Sequence, residues 1–122
     1  MWLAQQQRRK RRDGGAQMGT VTLDGDPAGV YLDGERRDLP IFGPGGYIWR
    51  PMRGDQVLVL KTGAEGEAPC VAGARCFGSD ELEAGEVMIY GGGGCSIRLR
   101  MDGTIFMTGQ LLVDGKEVMT RE

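Results

Sequence analysis

Residues 86–108 read EVMIYGGGGCSIRLRMDGTIFMT, and the pattern in this stretch decides the class of fold. Ser96-Ile97-Arg98-Leu99-Arg100-Met101 alternates with a period of two. In an extended chain that places Ile97, Leu99 and Met101 on one face and Arg98 and Arg100 on the other. Asp102-Gly103 turns the chain, and Thr104-Ile105-Phe106-Met107-Thr108 alternates again. Glu86-Val87-Met88-Ile89-Tyr90 forms a further strand, separated from Ser96 by the glycine run 91–94. Downstream, Gly109-Gln110 interrupts the pattern before Leu111-Leu112-Val113, and Asp114-Gly115 leads into Lys116-Glu117-Val118. No stretch carries a helical period, so residues 85–122 read as short strands with a glycine break after each.

A meander of this kind has a difficulty if it stands alone. Its inward candidates are Val87, Ile89, Ile97, Leu99, Ile105 and Met107, and a single layer leaves that face and two strand edges uncovered. Stacking against copies of itself solves both problems, as in β-solenoids and intertwined β-prisms. Met88, Met101 and Met107 read as core filler. Arg98 and Arg100 form either a solvated outer face or ion pairs with a neighbouring chain. The glycines in 91–94 and at 103, 109 and 115 serve tight corners or ordinary hairpin turns. The run 91–94 lacks the GxxxxGK[ST] pattern and the following helix of a phosphate loop.

Upstream, residues 19–76 read as about five short strands between turn signals. They are Thr20-Val21-Thr22-Leu23, Val30-Tyr31-Leu32 before Asp33-Gly34, Leu39-Pro40-Ile41-Phe42, Gln56-Val57-Leu58-Val59-Leu60-Lys61, and a closing strand from Pro69 to Cys76. Tyr47-Ile48-Trp49 lies between a Gly-Pro-Gly-Gly loop and Pro51. The near-continuous apolar run at 56–61 predicts burial on both faces. Short strands without a helix suit a small Greek-key barrel of the OB type. Residues 77–84 read as a linker or one helical turn. The expected organisation is a basic arm (1–17), an OB-fold-like domain (18–78), a linker (79–84) and a self-associating β segment (85–122).

Composition narrows the chemistry. Glycine accounts for 22 of 122 residues, well above the usual ~7%, without the every-third-residue period of collagen. Apolar residues make up 40%, too many for a disordered chain, and no apolar run has the length of a membrane helix or a signal-peptide core. There is no histidine. That removes Ser-His-Asp and Cys-His catalysis and every histidine-ligated metal site. The three cysteines, Cys70, Cys76 and Cys95, are odd in number and not in a CxxC pair; they fit a reducing compartment better than a disulfide framework. A nucleophilic Cys95 beside the glycine run would need a lysine or carboxylate base, and no arrangement suggests one. Asp24, Asp26, Asp102 and Asp114 sit at turns, where aspartate is expected without a metal. No enzyme activity, metal or cofactor is expected.

Charge is unevenly placed. Arg8, Arg9, Lys10, Arg11 and Arg12 carry +5 of a net −2, which leaves −7 on the rest of the chain. The block either docks on an acidic partner or stands as a solvated arm. Nucleic-acid binding is opposed by the acidic remainder and by the lack of aromatic residues among the arginines. Tyr47 and Trp49 are the aromatic candidates, for a ligand-binding barrel face, for core packing or for a partner interface.

Taken in order, Trp49-Arg50-Pro51-Met52-Arg53-Gly54-Asp55-Gln56-Val57-Leu58-Val59, Pro69-Cys70-Val71-Ala72-Gly73, Gly85-Glu86-Val87-Met88-Ile89-Tyr90, Ser96-Ile97-Arg98-Leu99 and Asp102-Gly103-Thr104-Ile105 resemble the phage baseplate assembly protein V family. The resemblance spans roughly residues 19–118, and its specificity lies in the order of loose motifs. It implies a homotrimeric tail spike, with OB-fold domains beneath the tail-tube hub and three chains wound into a narrow β-prism whose core is the six inward residues above. Arg8, Arg9, Lys10, Arg11, Arg12, Tyr47 and Trp49 would then face the hub or another baseplate partner. The implied function is structural: assembling the baseplate and transmitting or initiating penetration of the host cell envelope. The implied location is the distal end of a virion or tail-like particle made in a bacterial cytoplasm. Family members can end in a histidine-containing iron-binding tip, which this chain lacks. Either the tip is blunt and metal-free or a separate tip protein caps it. The alternative reading is an OB-fold nucleic-acid-binding protein with a basic arm.

Overall fold

The computed structural model describes residues 15–65 and 68–119, so the basic block at residues 8–12 lies outside the described residues. The chain is all-β and divides into two compact units, Met1–Cys76 and Phe77–Glu122. No helix among the described residues is long and apolar enough to cross a membrane.

The first unit is a five-stranded antiparallel sheet built from β1 (Ala16–Leu23), β2 (Ala28–Tyr31), β3 (Glu35–Leu39), β4 (Gln56–Thr62) and β5 (Ala68–Ala74). The spatial order is β3-β2-β1-β4-β5. Three strands follow one another by hairpins, then a long connection returns β4 to the free side of β1, which is a Greek key. Irregularities in the register interrupt the β1–β2, β2–β3 and β4–β5 pairs. Such bulges bend strands and raise their twist, and here the sheet curls until the segment after β3 meets β5. Phe42 N–H donates to the Val71 carbonyl (2.8 Å) and Val71 N–H to the Pro40 carbonyl (2.9 Å), around a parallel bridge from Ile41 to Val71. No closed barrel forms.

Inside the curl lie Val21, Ala28, Val30, Leu39, Val57, Val59 and Val71, with Leu32, Ile41 and Trp49 at the margin. Each fully buried Val or Leu contributes about 1.5–3 kcal/mol of transfer free energy. Gly19 is part of this packing: a Cβ there would lie 2.4 Å from Val30 Cγ1 and 2.5 Å from Leu32 Cδ2.

Two expectations from the sequence are corrected. The third strand is Glu35–Leu39, not residues 39–42, because Glu35 and Arg36 pair with Tyr31 and Val30 of β2 and only Leu39 reaches the core. Charged residues are common where a strand has one free edge, and they hide it from a search for apolar alternation. On β4, burial alternates: Val57 and Val59 are enclosed, whereas Leu58 and Leu60 stay exposed on the outer face. Among the described residues of this unit, none encloses that second face.

In the second unit, a short 3-10 turn (Ser79–Glu81) precedes β6 (Val87–Tyr90), β7 (Ser96–Leu99) and β8 (Ile105–Thr108), which form a three-stranded antiparallel meander. A minimal hairpin follows, β9 (Leu112–Val113) and β10 (Lys116–Glu117). Its two turn residues, Asp114 and Gly115, have φ of 51° and 77°, the pair of positive values that a type I′ turn requires.

Candidate functional site

The site is one face of the β6–β8 sheet, and its composition follows from register. Val87 lies opposite Leu99, and Leu99 opposite Ile105. Ile89 lies opposite Ile97, and Ile97 opposite Met107. Since side chains alternate across a strand, the six inward candidates form two complete cross-strand rows on a single face. No charged residue interrupts either row. All six are exposed in the chain, by 39–64%. At one end of the face an apolar groove of about 430 Å³ continues it, lined by Ile89, Cys95, Ile97, Met107 and Leu111. Cys95 is a free, exposed thiol at the position two residues before Ile97.

The opposite face carries Met88, Arg98 and Phe106 in one row and a cluster of paired charges. The Glu86 carboxylate accepts hydrogen bonds from Arg98 Nε (3.0 Å) and Nη2, from the Met101 N–H (3.1 Å) and from the Glu83 N–H (3.1 Å). Its side chain is almost wholly enclosed by these partners. The Arg98 guanidinium, followed by the backbone donors, holds the Glu86 carboxyl below its ordinary value. Nearby, the Arg100 guanidinium lies 5.7 Å from the centre of the Phe106 ring, within cation–π range. The Asp102 carboxylate accepts from the Thr104 hydroxyl (2.6 Å) and N–H (2.9 Å), which closes the β7–β8 turn. The Thr104 hydroxyl is the main reason that Asp102 also titrates below its usual value.

On the central strand β7, coverage is therefore inverted, whereas β6 and β8 are exposed on both faces. Ser96 and Arg98, on the polar face, are half-buried; Ile97 and Leu99, on the apolar face, are exposed. None of the described residues from 77 to 119 is buried. A soluble fold normally encloses its apolar stripe and wets its polar one. An apolar face of six residues, held in register and free of charge, has the composition common to contact surfaces.

The docking candidates are distributed differently. Trp49 packs at the margin of the first unit's core, and its indole N–H donates to the Phe42 carbonyl (2.9 Å). Tyr47 is exposed, its N–H bonded to the Pro44 carbonyl (3.0 Å). Between them Ile48 is 99% exposed, on a loop pinned by Trp49 on one side and by the buried Pro51 just beyond. Ile48 is not among the sequence candidates, which are the two aromatic residues that flank it. The signal was present in the flanking Gly-Pro-Gly-Gly and Pro51, which forbid a continuous ladder.

Among the described residues no group of three or more Cys, Asp or Glu side chains is placed to hold a metal ion. Cys70 is buried, while Cys76 and Cys95 are exposed; all three are free thiols. The chain matches no protein-family profile, and no curated protein matches it.

Proposed function

We propose that this chain is a structural component of a phage-type tail baseplate, a homotrimeric central spike that sits below the tail-tube hub. The observation that carries the self-association is the exposed, uncharged apolar face of the second unit. Two apolar rows lie open on a sheet with no buried residue among those described, and a three-stranded layer of that kind has no core of its own. Three such faces turned toward a common axis enclose eighteen side chains that one chain leaves in water, and the paired Glu86–Arg98 face stays outside. The two free strand edges, on β6 and β8, find partners in the same step.

The first unit supports the OB-type part of this reading by its Greek-key order and by the bridge that brings the segment after β3 onto β5. Five strands curled into a partly open barrel is the form that class takes. The phage assignment rests on the ordered resemblance described above. On that reading the job is mechanical: a rod of three interlocked chains transmits axial load from the tail, and no chain leaves without unwinding the others. Its partners are its own copies, hub and baseplate proteins around the exposed Tyr47–Ile48 loop and the basic arm, and the host envelope.

The test is the molar mass of the purified full chain by light scattering behind a sizing column. Three chains of 13.2 kDa give the expected trimer of about 40 kDa. A monomer at micromolar concentration would leave the β6–β8 face unexplained and remove the proposal.

A further inference from the structure

We infer that the outer face of the five-stranded sheet is a second self-contact, covered by the corresponding unit of a neighbouring copy of this chain. The inference rests on the trimer proposed above and adds a surface that the trimer core does not use. Register again defines the face. Met18 lies opposite Leu58, which lies opposite Gly73, and Leu60 is the next outward residue along β4. Met18, Leu58 and Leu60 are all exposed, while their neighbours Val57 and Val59 fill the interior of the same strand. Gly73 leaves open space beside Leu58, a hollow that an incoming side chain can enter.

The adjacent row crosses the whole sheet and supplies the polarity. It runs from Glu35 through Tyr31, Thr20 and Gln56 to Arg75, whose guanidinium donates to Gln56 Oε1 (3.3 Å). One end is acidic, the other basic, and the centre is uncharged. An uncharged centre with a charged rim is the usual anatomy of a protein interface. Cyclic trimers use head-to-tail contacts, in which one edge of a surface meets a different edge of the next copy. A face acidic on one side and basic on the other suits that arrangement, and it opposes an identical face meeting in the same orientation.

Proximity supplies the occupant. Residues 75–86 join the two sheets, a tether of at most about 45 Å when fully extended. If the second units associate, three copies of the first unit are held at effective concentrations on the order of millimolar. A contact too weak to hold free monomers together is then populated.

Methionine oxidation tests this in the intact chain. Met18 and Met52 are 52% and 58% exposed within one chain, and Met107, on the proposed trimer core, is 53% exposed. Without association the three thioethers oxidise at similar rates under dilute hydrogen peroxide, because susceptibility follows access. The expected result is that both Met107 and Met18 react roughly fivefold more slowly than Met52, or slower still. Leu58→Glu should bring Met18 back to the Met52 rate while Met107 stays protected and the mass stays trimeric. Met18 reacting as fast as Met52 in a chain whose Met107 is protected would overturn this inference and leave the trimer standing. All three reacting alike in a 13.2 kDa species would overturn both. Protection of Met18 that disappears when residues 1–14 are deleted would put the chain's own N-terminal segment on this face and overturn the inference.

Discussion

β4 and β7 each carry branched apolar residues at alternate positions, Val57 and Val59 on one, Ile97 and Leu99 on the other, and the two pairs meet opposite fates. On β4, Val57 and Val59 are completely enclosed by their own chain. On β7, Ile97 and Leu99 remain exposed within one chain. The higher apolar content of β4 does not explain the difference, since its Leu58 and Leu60 also stay exposed; the surrounding strands do. β4 belongs to a sheet of five strands that bulges, twists and brings its two ends together at Ile41 and Val71. β7 is the centre of three strands, too few to curl around anything. Alternation specifies which face needs cover, and the number and bending of strands specify whether the chain can provide that cover itself.

The sharpest way to break this contrast is to place a charge in the open rows. Ile97→Glu should reduce the full chain from trimer to monomer by light scattering, since three carboxylates would be forced together in an apolar interior. Hydrogen exchange in β1 and β4 should be unchanged by that substitution. Loss of protection there would mean that the first unit depends on the second for its fold. Deleting residues 85–122 should likewise abolish trimers and leave the five-stranded sheet folded; a stable trimer of the remainder would relocate the association.

The converse experiment targets the enclosed side. Val59→Ala should cost about 1–3 kcal/mol in urea unfolding of the first unit, from lost transfer and an unfilled space, with the oligomeric mass unchanged. Thiol chemistry gives a finer measure of the same contrast. Cys76 and Cys95 are both exposed within one chain, and Cys95 continues the face proposed as the trimer core. Maleimide should therefore modify Cys76 rapidly and Cys95 slowly in the native assembly, and both rapidly after Ile97→Glu. Equal rates in the wild-type chain would count against the enclosed face.

The smallest expected effect concerns acid. Glu86 titrates below its ordinary value of 4.5 because Arg98 and two backbone N–H groups bond its ionised form. A depressed folded value contributes stability that is complete above pH about 4.5 and is lost as the pH falls through the lowered value. Acid should thus loosen the second unit of the wild-type chain, and Glu86→Gln, which cannot titrate, should flatten the pH dependence of its melting in that window. A variant with the wild-type acid profile would show that the pairing carries no pH-dependent stability.

Turns were the most legible part of the sequence. The Asp-Gly pairs at 33–34, 102–103 and 114–115 all lie between paired strands, since the choice of turn is made by a few adjacent dihedrals. The six residues of the open face were legible for a similar reason: period-two alternation and short turns leave little freedom of register. β3 was not legible, because Glu35-Arg36-Arg37-Asp38 has no strand signature of its own and extends only against β2. Trp49 and Ile48, adjacent in sequence, ended in the core margin and in full solvent, a division made by the packing of the long connection and not by residue type.

By itself the sequence determined the all-β class, the positions of the turns and the face to which each alternating side chain points, since these follow from local dihedrals and a period of two. Only the tertiary structure decided strand order, the charged third strand and which apolar faces are covered. Burial is a property of what closes over a residue, and that closure comes from bulges and pairings made far along the chain. Hence Val57 is enclosed and Leu58, its neighbour on the same strand, is left for another surface to cover.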